Sequence, residues 1–241
     1  MVSERMAMVL ALLDREVAPE RADALSQVAA AASAVLGVDG ISAGVGTGPQ
    51  GVVLAWGGEE VGVGLENEQF TLGEGPGLDA IGAGVPVLVP DLAAALGRWP
   101  AFASAAAGLG VRAVFAFPLR IGVISVGSLL AHRAVPGPLS QGRMIDALAL
   151  TDAVTLVLLH RQSADINPAD RAPTGWARPV TYRAEVHQAT GIISVQLGVG
   201  LAEALVRLRA HAWGSGQLLA DVAADVVARR VCFDELDDAG P

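Results

Sequence analysis

The feature that most constrains the fold is a series of three short amphipathic runs between Tyr182 and Val227. Within each run the apolar residues recur every three or four positions, which places them on one stripe of a helix. Glycine-rich breaks at 198–200 and 214–216 separate the runs, and glycine readily adopts the left-handed conformation that ends a helix. The sequence therefore predicts three short helices around one small shared core.

Three elements in this stretch resemble the ANTAR family, whose members are small helical RNA-binding domains that act as transcription antiterminators. They are Ala189-Thr190-Gly191-Ile192 in the first predicted helix, Glu203-Ala204 in the second and Asp221-Val222-Ala223 in the third. The resemblance covers nearly all of the last quarter of the chain. Many members of the family carry Lys where this chain has Thr190. The resemblance implies RNA as the partner of this module.

A polar stripe along the first of these helices is the predicted RNA contact. Its members recur at spacings of four, three and four residues, which places them on the face opposite the core. Small residues beside the stripe would let an RNA loop approach the backbone. Without the resemblance, an ordinary solvated face is the simpler interpretation. With it, the predicted RNA-binding residues are Arg183, His187, Ala189, Thr190, Gly191 and Ser194 on the first helix and Arg207 and Arg209 on the second.

The charge distribution restricts how much of the surface can bind nucleic acid. The formal net charge of −9 argues against a protein coated in nucleic-acid-binding surface. Between Arg178 and Arg230, however, six arginines stand against four carboxylates, so this stretch carries a charge of +2. Four acids follow it in the tail after Cys232. A small site that recognises loop shape can work from a few arginines, with modest salt dependence.

No pattern in the sequence predicts catalysis. The single cysteine excludes a cysteine metal cluster, and the four histidines lack metal-ligand spacing. The glycines of 46–51 fit a dinucleotide-binding pattern, but a second strand, not a helix, is predicted to follow them. Ser125 lacks one glycine of a nucleophile elbow, and Glu74 and Asp79 are best interpreted as tying a loop or capping a helix. We predict no enzyme, no catalytic residue, no metal site and no cofactor.

Ahead of the helical module, the pattern alternates between helices and strands. Helices are predicted over 1–36 with a break at Pro19, from Pro76 to Gly84, from Phe102 to Gly110 and over Leu139–Gln162. Strands are predicted as a hairpin of 38–47 and 51–56, at Gln69–Leu72, at Val85–Val89, and as a central antiparallel pair at Val111–Leu119 and Ile121–His132. The fold class is therefore α+β.

Four motifs in this part resemble the GAF family. In chain order they are GEGPGLDA (73–80), VPVLVPDL (85–92), RWPAF (98–102) and VRAVFAFPLR (111–120). The resemblance implies an antiparallel sheet with flanking helices and a sensory role, with a small ligand or chromophore held on one face of the sheet. A bilin or iron–sulfur attachment would need a cysteine here, and the β-rich half has none. GAF domains paired with ANTAR modules are typical of actinobacterial-type regulators.

The composition shifts suggest the domain boundaries. We predict an N-terminal helix at 1–21, a GAF-like sensor domain at 22–163, a linker at 164–179, an ANTAR-like module at 180–230 and an acidic tail at 231–241. The start of the chain lacks the pattern of a signal peptide, and no membrane helix is predicted. We therefore expect a cytoplasmic protein.

The two resemblances together imply a regulator of transcription antitermination. Its expected partners are paired RNA stem-loops, and the GAF resemblance allows a small-molecule ligand in the sensor domain. Two loops imply two modules and hence a homodimer. The alternatives are a DNA-binding regulator, since three helices also describe a helix-turn-helix, and a signalling protein acting through protein–protein contacts. Helix three begins with Asp221 in its first turn, which disfavours DNA, and Trp213 is predicted to be core rather than a base-stacking platform.

Overall fold

The computed structural model describes residues 1–15, 22–46, 52–56, 60–164 and 181–233. Contacts divide the chain into two compact units. The first carries the helices and strands up to residue 164, and the second carries three helices from residue 181 onward.

The first unit is built around a five-stranded antiparallel sheet in the order β2-β1-β5-β4-β3. Its strands are β1 (Gly40–Gly46), β2 (Val52–Trp56), β3 (Val87–Val89), β4 (Ala113–Ile121) and β5 (Ile124–Arg133). The predicted pairing of the first two strands and the predicted antiparallel pairing of β4 with β5 are both confirmed. The predicted hairpin turn between β1 and β2 lies outside the described residues.

Helices cover both faces of this sheet. They are α1 (Glu4–Arg15), α2 (Ala22–Leu36), α3 (Glu60–Leu72), α4 (Pro76–Ala83), a 3₁₀ helix (Leu92–Ala95), α5 (Pro100–Gly108) and α6 (Gln141–Ala164). Alternation along the strands sends Phe115 and Phe117 into a core beneath α1, α2 and α6. Val114 and Leu130 face the opposite core, beneath α3, α4 and α5. Two apolar layers therefore sandwich the sheet.

One predicted strand is wrong, because Gln69–Leu72 forms the end of helix α3. The residues QFTL favour a strand locally, yet the buried positions Leu65, Glu66, Gln69 and Phe70 follow the spacing of a helix. Burial of that stripe overrides the local propensity.

Two acidic side chains fix the helices that follow α3, as predicted for Glu74 and Asp79. Oε1 of Glu74 accepts hydrogen bonds from the backbone N–H groups of Ala101 and Phe102, each at 2.8 Å, and so caps the start of α5. Asp79 forms an ion pair with Arg98 at 2.6 Å. Both carboxylates therefore stabilise the fold of this region, Glu74 as a helix cap and Asp79 as one partner of an ion pair.

The second unit consists of α7 (Thr181–Leu197), α8 (Leu201–Ser215) and α9 (Leu219–Val227), as the amphipathic pattern predicts. All three helices contribute to one small core. Its fully or nearly fully buried residues are Val186, Ala189 and Ile193 of α7, Leu205 and Leu208 of α8, and Val222 and Val226 of α9.

Several helices of both units end in the same backbone turn. In each of these turns a residue one or two positions beyond the helix is left-handed. The N–H of the residue that follows it donates to the carbonyl oxygen five residues earlier. The left-handed residue is glycine at α2, α5, α7 and α8 but arginine at α9, as follows: Gly37, Gly110, Gly198, Gly216 and Arg229. Arg229, with φ of 58°, is the one non-glycine residue with positive φ in the described part of the chain.

No single helix in the described ranges is long and apolar enough to cross a membrane. The bent pair formed by Glu185–Leu197 and Leu201–Ser215, with an angle of 105°, meets the length and composition criteria only when both helices are counted together.

Candidate nucleic-acid interface

The first helix of the C-terminal module places Ala189 and Thr190 inside the protein. Both residues are fully buried, and the Thr190 hydroxyl donates a hydrogen bond to the carbonyl oxygen of Val186 at 2.7 Å. The prediction that Thr190 lies on a polar stripe opposite the core is therefore wrong. Its spacing from Val186 puts it on the buried stripe, and the hydrogen bond within the helix satisfies its hydroxyl without solvent. Neither side chain presents a surface to RNA in this fold.

The other predicted residues of α7 occupy intermediate positions. His187 and Ser194 are half-buried, and the Ser194 hydroxyl donates to the carbonyl oxygen of Val199 at 2.6 Å, which holds the turn after the helix. Gly191 is partly exposed, and a Cβ atom added there would meet no atom within 4 Å. The side chain of Arg183 lies outside the described residues. Of the predicted residues of α7, therefore, Ala189 and Thr190 are buried, whereas His187, Gly191 and Ser194 are partly exposed.

The two predicted arginines of α8 differ in environment. Arg207 forms an ion pair with Glu203 one helical turn earlier, at 3.5 Å, with both side chains about half exposed. Arg209 is largely buried beside the module core, and this burial lowers the pKa of its guanidinium to about 10. The structure therefore leaves Arg207 at the surface and turns Arg209 inward.

The prediction that Trp213 belongs to the core is wrong. Its side chain is 76% exposed near the end of α8, where Ala212 takes the buried position of that turn. Gly214 and Ser215, the last two residues of α8, are exposed as well.

A groove that the sequence does not reveal lies between α7 and the turn after α9. Its volume is about 720 Å³, and the C-terminal half of α7 forms one wall while the turn after α9 forms the other. The lining residues are Gln188, Gly191, Ile192, Val195, Gln196, Val227, Arg229 and Cys232. Only Gly191 belongs to the predicted set. The two walls lie more than thirty positions apart in the chain, so helical periodicity within one segment could not bring them together.

Hydrogen bonds fix the second wall of the groove. After α9, the N–H of Arg229 donates to the carbonyl oxygen of Val226 at 3.0 Å, and the N–H of Arg230 donates to that of Asp225 at 2.7 Å. Nε of Arg230 also donates to the Asp225 carboxylate, at 2.7 Å. Further on, the N–H of Phe233 donates to the side-chain oxygen of Gln196 at 3.1 Å, which ties the segment back to α7.

The first unit contains a separate buried polar cluster on the face of the sheet beneath α3. The Ser42 hydroxyl donates to Glu66 at 3.1 Å. The side-chain oxygen Oε1 of Gln69 accepts from the N–H of Gly77, at the start of α4, at 2.6 Å. Ser42, Glu66 and Gln69 are each 1% exposed or less. Ser128, on the neighbouring strand, is also fully buried, and its hydroxyl has no hydrogen-bond partner among the described residues. This cluster is the polar part of an otherwise apolar layer.

A histidine lies on the same face of the sheet, near the end of β5. His132 is 3% exposed, and burial lowers the pKa of its imidazole, although the Asp39 carboxylate acts in the opposite direction. Burial therefore favours the uncharged form of this imidazole in the folded protein.

The two units are similar to different known proteins. Residues 178–227 match the ANTAR domain model, and a comparison with curated proteins gave no match. The first unit is similar to the GAF domain of a phosphoenolpyruvate-protein phosphotransferase from Coxiella burnetii, at 19% identity and a TM-score of 0.50, covering 68% of this chain and all of that one. It is also similar to the GAF domain of the Acinetobacter phosphoenolpyruvate-protein phosphotransferase, at 16% identity and a TM-score of 0.50, covering 68% and 98%.

At such identities the likeness shows the fold alone. The predicted fold class is confirmed, because the chain combines a GAF-like antiparallel sheet and its helices with a helical ANTAR region.

Proposed function

We propose that this protein is an RNA-binding regulator of transcription antitermination whose GAF-like unit acts as a sensor. The C-terminal module binds nascent RNA that carries two short stem-loops and prevents an overlapping terminator hairpin from forming. The observation that carries this proposal is the ANTAR match over residues 178–227, which coincides with the folded three-helix unit.

The surface of the module supports RNA over DNA as the ligand. Arg229 and Arg230 are exposed after α9, and the partly exposed Arg207 adds a third cation. The start of α9 instead presents Leu218, which is 71% exposed, and the exposed carboxylate of Asp221. A DNA recognition helix would present base-reading Arg, Asn or Gln side chains at that place. Cations beside an apolar groove suit the unstacked bases of an RNA loop.

The test is binding of the full-length protein to three labelled RNAs, with two stem-loops, one stem-loop, or two stem-loops whose loop sequences are scrambled. We expect the tightest binding to the first RNA. The affinity should fall with salt concentration with a shallow slope, about 0.7 per contacted phosphate on a logarithmic scale. Equal affinity for all three RNAs, or tighter binding to a DNA duplex, would contradict the proposal.

A matched set of variants separates the module from the rest of the chain. His187→Ala and Arg207→Ala should weaken binding to the RNA with two stem-loops. Arg112→Ala is the control, because it removes one positive charge from a half-exposed arginine of the first unit, beside Asp91. We expect Arg112→Ala to bind as the wild type does. Read-through of a terminator in a transcription assay with the same RNA should follow the order of affinities.

A homodimer is part of the proposal, because two stem-loops require two modules. The packed helices α1 and α6 carry large apolar side chains at the surface of the first unit. Met8 of α1 is 63% exposed and Leu156 of α6 is 68% exposed. Leu12 of α1 and Leu148 of α6 are also exposed apolar side chains. A second copy of the chain that packs α1 and α6 against the same helices would remove this surface from water.

Sedimentation of variants tests the dimer. Met8→Arg and Leu156→Arg should shift the protein toward the monomer and weaken binding to the two-loop RNA more than to the one-loop RNA. Val123→Arg is the control, since Val123 is 90% exposed in the turn between β4 and β5. Unchanged mass in both helix variants would contradict the placement of the interface on α1 and α6.

For the sensor role, we propose that a small-molecule ligand binds on the face of the sheet beneath α3, at the cluster of Ser42, Glu66 and Gln69. A polar group buried in that layer can recognise a small molecule through hydrogen bonds that exclude water. Mass spectrometry of small molecules released on denaturing the purified protein should reveal the ligand, with Gln69→Leu as the variant expected to lose it. Binding of the released compound to the refolded wild type and to Gln69→Leu with equal affinity would contradict this role.

A further inference from the structure

The groove between α7 and the turn after α9 has the chemistry of a nucleobase site. Its apolar surface comes from Ile192, Val195 and Val227, and Val195 is 83% exposed. The exposed side-chain amide of Gln188 lies at its rim. Gly191 leaves the α7 backbone uncovered, so a flat ring could approach it closely. Apolar contact on a ring face together with amide hydrogen bonds to a ring edge is how unstacked RNA bases are recognised.

Arg229 supplies the cation of this groove from an unusual backbone position. It occupies the left-handed place of the helix-ending turn, where α2, α5, α7 and α8 have glycine. Arginine there is strained, and such strain persists where the surrounding hydrogen bonds impose the conformation. No described carboxylate forms an ion pair with Arg229, whereas its neighbour Arg230 is held by Asp225 at 2.7 Å. Within the described part of the chain, the Arg229 guanidinium therefore has no carboxylate partner and can bind an anion.

We propose that this groove receives one unstacked base of an RNA loop, with Arg229 bound to the adjoining phosphate. The inference rests on the proposed RNA-binding function and assigns the contact to a surface different from the predicted stripe on α7. The described lining of the groove includes the cation Arg229 and no carboxylate, which favours an anionic ligand as the occupant.

The single cysteine of the chain gives a direct reporter of this groove. Cys232 is exposed, lines the groove and can be alkylated selectively in the full-length protein. We expect saturating RNA with two stem-loops to slow alkylation of Cys232 by about tenfold, because a bound base removes the thiol from water. RNA with scrambled loops should leave the alkylation rate close to that of the free protein.

Three outcomes are distinguishable. If the RNA binds, as seen by fluorescence anisotropy, and Cys232 reacts at its free rate, the groove is not the site although the proposed function stands. If no RNA binds, both proposals fail. If alkylation slows with protein concentration in the absence of RNA, a second copy of the chain occupies the groove, and the RNA-base assignment is overturned.

Arg229→Gly is the variant that separates binding from folding. It removes the cation and puts glycine at this position. Glycine adopts the left-handed conformation without strain, so the module should stay folded. We expect a loss of affinity of about fivefold and a smaller salt slope, while Arg112→Ala binds as the wild type does. Val195→Glu should also weaken binding, through charge repulsion and loss of the apolar surface. Wild-type affinity in both groove variants would overturn the proposal.

Discussion

The ends of helices α8 and α9 have the same backbone turn but different residues at its left-handed position. After α8 that residue is Gly216, and the N–H of Gln217 donates to the Ala212 carbonyl oxygen at 3.0 Å. After α9 it is Arg229, and the equivalent hydrogen bond, from Arg230, measures 2.7 Å. A side chain at Gly216 would meet nothing within 4 Å, so space is not what requires glycine there.

The turns after α8 and α9 differ in backbone strain and in whether their left-handed residue has a side chain that can bind a ligand. A left-handed conformation costs an L-residue with a Cβ atom about 1–2 kcal/mol, and glycine avoids that cost. At α8 nothing offsets the strain and glycine is present. At α9 the strained residue is a cation facing the groove, which is the pattern expected where a local conformational cost is retained for binding.

The largest effect on stability is expected where a similar turn is also crowded. At the end of α2, a Cβ atom on Gly37 would meet the guanidinium of Arg143. Gly37→Ala should therefore lower the free energy of unfolding by about 2 kcal/mol, through backbone strain and displacement of that side chain. Urea unfolding of the full-length protein measures this. Gly82→Ala, within α4 and with open space around it, is the control and should raise stability.

A smaller loss is expected at the end of α8. Gly216→Ala should lower the stability of the C-terminal module by about 1 kcal/mol, since only the backbone conformation is unfavourable. Hydrogen exchange of peptides from α7 to α9 reports this unit separately. Gly214→Ala lies in the same helix, also with open space, and should stabilise it. Equal effects of the two substitutions would show that the left-handed position is not the cause.

Removing the strain at α9 should have the opposite sign. Arg229→Gly is expected to raise the stability of the module by about 0.5 kcal/mol, because relief of strain exceeds the added flexibility of the unfolded chain. Hydrogen exchange of the α9 amides should slow by the factor that corresponds to this gain in the free energy of unfolding. Faster exchange in this variant would mean that the Arg229 side chain stabilises the turn.

The smallest effect is expected from the neighbouring ion pair. Asp225→Asn should lower stability by a few tenths of a kcal/mol, since the Arg230 side chain is 63% exposed and solvent weakens the pair. The same hydrogen-exchange measurement compares Asp225→Asn with wild type at low and high salt. A loss that is independent of salt would indicate that the carboxylate acts through its hydrogen bond rather than its charge.

The sequence predicts most of the fold because its patterns are local. Spacing of apolar residues identifies α7, α8 and α9, and glycine marks four of the turns that follow helices. The strand predicted at Gln69–Leu72 fails because burial against the sheet, a tertiary effect, selects a helix there. The turn after α9 carries no glycine, so its left-handed residue could not be recognised from the sequence.

The candidate site is less predictable than the fold. Thr190 belongs to a motif that the resemblance associates with RNA, but the rotation of α7 about its axis, set by packing against α9, turns that side chain inward. Trp213 is exposed because the buried stripe of α8 runs through Leu205, Leu208 and Ala212, and position 213 lies off that stripe. The groove combines residues from two distant segments, so it exists only after the module has folded.

The side chains of Glu74 and Gln69 together tie the starts of two helices to the end of α3 and the connection that follows it. Glu74 holds the first free N–H groups of α5, while Gln69, in the preceding helix, holds the N–H of Gly77 at the start of α4. Withdrawal of the α3–α4 connection from the sheet would release both helix starts together. Amides at the beginnings of α4 and α5 should therefore open as one cooperative unit, at a lower free energy than the central strands.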